Sequence, residues 1–86
     1  MRFAVLVETR LRPGIADPQG ATIERSLPHL GFDGIQDVRV GKAIRFDLEA
    51  PDEASAREHV DEVTRRFLIN PVIEDAEVVV SVVEAV

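Results

Sequence analysis

Three features of the sequence predict a small two-layer α+β domain, β-α-β-α-β, with its helices on one face of the sheet. Apolar residues alternate with a period of two in three separate segments, near both ends of the chain and in its middle. Two further segments, one in each interval, carry helix-start residues followed by apolar residues at helical spacing. Residues 1–86 are all taken up by this pattern, so one domain is expected, with no linker, repeat or low-complexity tract.

The first strand is Arg2–Thr9. Phe3, Val5 and Val7 fall on one face and Ala4 and Leu6 on the other, so the strand should be central rather than an edge. Pro13 and Gly14 then mark a loop. Asp17 followed by Pro18 is a helix start, with Asp as N-cap and Pro at the first helical position. Ile23, Leu27 and Leu30 share one face of that helix. Pro28 interrupts it, because it cannot donate to the carbonyl of Glu24, and should tighten the last turn. Gly31 suits the position just past the end.

In the middle segment Val38, Val40, Lys42, Ile44, Phe46 and Leu48 are even-numbered, while Asp37, Arg39, Arg45, Asp47 and Glu49 are odd. The alternation runs through Gly41–Lys42 without a change of phase. A two-residue hairpin there would turn Arg45 and Asp47 onto the apolar face, so the phase disfavours it. A three-residue turn keeps Val40 opposite Ile44 and stays open; it would make the order β-α-β-β-α-β, the ferredoxin-like pattern. The favoured expectation is one long strand over Val38–Leu48, bent at Gly41 and extending roughly 35 Å. A domain of this size cannot cover all of it, so part should pair with another subunit.

Pro51–Asp52 opens the second helix, with Glu53 in its first turn and Arg65 and Arg66 in its last, as the helix dipole favours. Ala56, Val60, Val63 and Phe67 form its expected buried stripe, and Asn70–Pro71 ends it. The last strand places Val78, Val80, Val82 and Val86 on one face, with Glu84 as the exception, and Val79, Val83 and Ala85 on the other.

With 16 acidic and 10 basic residues, a net charge of −6, no Trp or Tyr and four Phe, the chain lacks the basic footprint and stacking aromatics of a nucleic-acid binder. No apolar run reaches the roughly 18–20 residues that span a bilayer, and Met1–Val7 is too short for a signal peptide. A cytoplasmic protein is expected. A chain this short buries only roughly 60–65% of its unfolded surface. With no cysteine and no metal-ligand spacing, oligomerisation is the remaining common way to add buried area.

Candidate chemistry is sparse. Gly41–Lys42 is not a phosphate-binding loop, because Gln36 and Ala43 stand where that motif needs Gly and Ser or Thr. Lys42 on the apolar face is expected either in an interface ion pair or snorkelling at the sheet edge. Neither His29 nor His59 has a Ser, Cys or carboxylate at catalytic spacing, and both suit surface or helix-end roles. Glu74, Asp75 and Glu77 suit a solvated turn into the last strand. No nucleophile, base and oxyanion site can be assembled, so no catalytic, cofactor-binding or metal-binding residue is assigned.

Three stretches carry a resemblance. Leu11–Gly20 (LRPGIADPQG), Val38–Lys42 (VRVGK) and Asn70–Glu77 (NPVIEDAE) are similar in order and spacing to the signature stretches of the PurS family, small subunits of phosphoribosylformylglycinamidine synthase. Pro28, inside a helix usually free of proline, and Ala76, where an aromatic is common, depart from that pattern. The resemblance implies a non-catalytic subunit of a purine-biosynthesis complex that bridges a large synthetase subunit and a glutaminase subunit and assists ammonia transfer. It also implies a homodimer or homotetramer, no cofactor in this chain, and ATP and magnesium in the large subunit. By residue match it implies partner contacts at Asp17, Pro18, Gln19 and Gly20, at Arg39, Gly41 and Lys42, and at Asn70, Pro71, Val72, Ile73, Glu74 and Asp75. Two other readings remain: a ferredoxin-like regulatory module binding an amino acid at a subunit interface, and a small enzyme of acylphosphatase type. The latter would use Arg10 and Arg12, but no glycine-rich cradle surrounds them.

Overall fold

Strand β1 (Arg2–Leu11) runs between β2 (Lys42–Glu49) and β3 (Glu74–Val82), antiparallel to both, in a sheet of order β2-β1-β3. This computed structural model describes residues 1–83; the expectations for Glu84, Ala85 and Val86 lie outside them. Helices α1 (Pro18–Ser26) and α2 (Glu53–Val63) complete the expected order β-α-β-α-β. The central place of β1 follows from its apolar residues on both faces.

The register sets what lies where. Val5 faces Phe46 on one side and Val80 on the other, while Thr9 faces Lys42 and Leu11 faces Glu74. Phe3, Val5 and Val7 of β1, Ala56 and Val60 of α2 and Val80 of β3 form the buried core. Ile44, Phe46 and Leu48 of β2 point to the same side, half-buried, with Arg45, Asp47 and Glu49 on the exposed side. The phase read from the sequence therefore holds along β2.

The length of that strand does not. Pairing with β1 begins at Lys42, and Val38–Gly41 lies outside the ladder. The amides of Val38 and Val40 donate instead to the side chains of Glu24 and Asp17, at 3.0 and 2.8 Å. Side-chain carboxylates thus take the place of a strand partner. The turnback within Val38–Leu48 is likewise absent.

Helix α2 packs against β1 and β3. Asp52 caps it by accepting from the Ser55 amide at 2.7 Å, and Glu53 pairs with Arg57 one turn on. From Thr64 to Leu68 the helix widens into a π turn. The inward series continues as Ala56, Val60, Thr64 and Leu68, and Phe67, expected in the buried stripe, is 85% exposed. Asp17 caps α1, and a 3-10 turn at Pro28–Leu30 ends on Gly31 in the left-handed region (φ 89°), as Pro28 and Gly31 lead one to expect.

The expectation that both helices cover the sheet holds for α2 alone. Helix α1 has no comparable packing on any strand, because its bonds hold it beside the 38–40 segment, beyond the end of β2. The molecule is accordingly extended, 51 × 34 × 15 Å with a radius of gyration of 16.9 Å, against about 12 Å for a globule of this length.

Candidate functional site

The three stretches singled out in the sequence meet at one end of the sheet, where β1 finishes and both β2 and β3 begin. Asp17 ties the first to the second. One carboxylate oxygen accepts from the Gly20 amide at 2.8 Å, capping α1, and the other from the Val40 amide at 2.8 Å. The Val40 amide, then the Gly20 amide, hold the Asp17 carboxyl below its ordinary pKa, with the Arg39 charge adding to them. Bonds to the ionised form stabilise that form, so the tie is made by a carboxylate.

Two glycines allow the backbones to approach. A Cβ on Gly20 would collide with the carbonyl oxygen of Val38, and one on Gly41 with the carbonyl oxygen of Thr9. Beside Gly41, the Lys42 amide donates to the Thr9 hydroxyl at 3.1 Å. Thr9 is 4% exposed, so this bond satisfies a buried polar group. The Arg39 guanidinium donates to the Ile15 carbonyl at 3.3 Å, joining the second stretch to the loop before α1. The Lys42 side chain is exposed and makes no ion pair among the described residues.

The third stretch is a turn. The Asn70 carbonyl accepts from the amides of Ile73 and Glu74, its side-chain oxygen accepts from the Val72 amide at 3.1 Å, and the Glu74 carboxylate accepts from the Asn70 amide at 2.8 Å. The Arg12 amide donates to the Ile73 carbonyl at 2.8 Å, and its guanidinium lies 3.4 Å from Asp75. Val72 projects from the tip, 78% exposed.

A depression of about 380 Å³ draws on all three stretches: Asp17, Pro18 and Gln19 from the first, Gly41 and Lys42 from the second, Glu74 from the third. Gly20 and Arg39 do not line it. Pro71 and Asp75 open instead onto a neighbouring hollow of about 540 Å³ beside the π turn, with Glu74 shared between the two. Val72 and Ile73 line neither. Sequence reasoning missed Glu24 and Thr9. Thr9 had a signal, since a threonine continues the inward series Phe3, Val5, Val7; Glu24 had none, because its partner is a backbone amide 14 residues away.

His29 and His59 are both exposed. Among the described residues no cluster of His, Asp or Glu is arranged to hold a metal ion, and no helix is long and apolar enough to cross a membrane. Fold and site together define a small α+β protein with one end of its sheet braced by side-chain-to-backbone bonds. The model of the PurS family, phosphoribosylformylglycinamidine (FGAM) synthase, matches residues 4–82. The chain is 35% identical over 82 residues to the phosphoribosylformylglycinamidine synthase subunit PurS of Methanocaldococcus jannaschii, spanning 95% of this chain and 99% of that protein. It is 46% identical over 65 residues to the PurS subunit of Synechocystis, 76% of this chain and 65% of that one. The solved structure of PurLQS from Thermotoga maritima contains a chain that superposes with a TM-score of 0.85 at 33% identity, covering 91% of this chain and 95% of that chain. This chain belongs to the PurS family.

Proposed function

We propose that this chain is the non-catalytic PurS subunit of a cytoplasmic phosphoribosylformylglycinamidine synthase. In that role it self-associates and joins the large synthetase subunit to the glutaminase subunit through the braced end of its sheet. The observation that carries the reading is the Asp17 carboxylate, which fixes the first and second stretches to each other through the Val40 amide at 2.8 Å. A partner there meets a preformed surface, so little ordering is lost on docking. Family membership favours this reading over an amino-acid-binding regulatory module.

ATP and magnesium belong, in this reading, to the large subunit, and no step of the chemistry is assigned to residues of this chain. Ammonia released by a glutaminase must reach the synthetase without escaping into water, and a rigid adaptor sealing the joint between them serves that need. Co-purification from the native host tests the assignment. Tagged chain should bring down one glutaminase and one ATP-dependent synthetase in defined proportion; recovery of the chain alone from cells making purines would overturn it.

A further inference from the structure

Two arginines stand near the end of β1. Arg10 pairs with Glu77 inside the ladder at 2.7 Å, whereas Arg12 lies just past the strand and reaches into the third stretch. The Arg12 amide donates to the Ile73 carbonyl at 2.8 Å. Its Nε donates to the Glu74 carbonyl at 3.4 Å and lies 3.4 Å from the Asp75 carboxylate. The Arg12 carbonyl accepts from the Ile15 amide at 3.2 Å, and the Arg39 guanidinium donates to the Ile15 carbonyl at 3.3 Å. One residue thus ties the turn at Asn70–Asp75 to the loop that also holds the second stretch.

The other bonds of that turn are internal, made by the Asn70 carbonyl and side chain and by the Glu74 carboxylate. Apart from the ladder that starts at Glu74, Arg12 alone among the described residues bonds to the turn from outside it. The Arg12 and Asp75 side chains are 48% and 52% exposed, and an ion pair so exposed adds little to the stability of the fold. What it fixes is where Glu74 and Asp75 stand. We propose that Arg12 is a positioning residue, whose side chain holds the Asn70–Asp75 turn in the pose that a partner subunit meets. The inference rests on the docking role in the proposed function and names the residue that orders one part of the docking surface. A turn held in one pose before contact loses less freedom on binding, so docking more than folding should register the loss of this side chain.

Arg12→Gln removes the charge and the Nε donor while keeping the backbone bond to Ile73. Its melting temperature should stay within about 4 °C of the unmodified chain's. Amide exchange at Val72 and Ile73 in the isolated chain should speed up about fivefold or more, with exchange at Val5 and Val7 unchanged. Titrated into the glutaminase and synthetase subunits of the proposed assembly, about five- to tenfold more of the variant should be needed for half-maximal glutamine-dependent turnover. Turnover at saturation should be the same. Arg12→Lys, which keeps a cation beside Asp75, should fall between the two. Arg2→Gln breaks a shorter ion pair, 2.6 Å to Asp47, at the opposite end of the sheet, and should match the unmodified chain in both measurements. Unchanged exchange in the turn overturns the positioning role even if docking weakens, because Arg12 would then be a direct contact. Failure of the unmodified chain to restore turnover sinks the proposed function and this inference with it. An unmodified chain that restores turnover beside an equally effective Arg12→Gln sinks the inference alone.

Discussion

Asp17 does two jobs with one carboxylate, capping α1 through Gly20 and holding the 38–42 segment through Val40. Its pKa is lowered in the fold, so the stability it contributes is present above the ordinary carboxylate value and is lost as pH falls below it. Thermal melts from neutral pH to about pH 3 should therefore show a drop that is shallower in Asp17→Asn, with Asp52 supplying part of the remainder. An unchanged pH slope in Asp17→Asn would show the tie to be inconsequential. Gly41 admits a second residue-scale test. Any side chain there meets the Thr9 backbone, so Gly41→Ala should cost about 1–3 kcal/mol and speed amide exchange at Lys42, whose bond to Thr9 would loosen first; an unchanged melting temperature would contradict the close approach.

At the scale of elements, the same substitution should have opposite consequences in two places. Phe3 is fully buried in β1 and Phe67 is 85% exposed on the π turn. Phe3→Ala should cost about 3–5 kcal/mol in denaturant unfolding, whereas Phe67→Ala should change the subunit's stability by less than about 0.5 kcal/mol. Equal losses would mean that the helical phase continues past Val63 without the π turn. Phe67 shows where local pattern stops informing, because one extra residue per turn shifts the phase and a sequence read at 3.6 residues per turn does not contain that shift. Val38–Gly41 is the other case. Its alternation is as regular as that of Ile44–Leu48, but alternation records only which face a side chain takes, not what its amide bonds to. The caps were legible at Asp17, Asp52 and Gly31 because each answers a need set by immediate neighbours.

For the molecule as a whole, the placing of α1 decides the shape, and nothing local announces it. Asp17 looks like a cap and Glu24 like a solvated helix residue, yet they accept from amides 23 and 14 residues away in the chain. The convergence of the three stretches at one end of the sheet follows from topology, since the end of β1 and the starts of β2 and β3 must share an edge once both neighbours are antiparallel to β1. The three stretches were recognisable in the sequence as a family pattern. Their division between two adjoining hollows, with Glu74 common to both, emerges only from the fold.

The central claim is that this braced end couples two partner subunits, and charge reversal within it is the most direct test. Arg39 and Lys42 are both exposed and outside the core, so Lys42→Glu should leave circular dichroism and self-association unchanged, and Arg39→Glu, which gives up one bond to the Ile15 carbonyl and a favourable charge near Asp17, should still fold and self-associate. In the proposed assembly each reversal replaces an attraction across the joint by a like-charge contact, which should weaken the assembly about tenfold or more, most at low salt. Glutamine-dependent turnover of the reconstituted three-subunit complex should fall accordingly, while turnover supported by added ammonia falls far less, because the large subunit's own chemistry is untouched. Full glutamine-dependent turnover by both variants, at low and at high salt, would contradict the account.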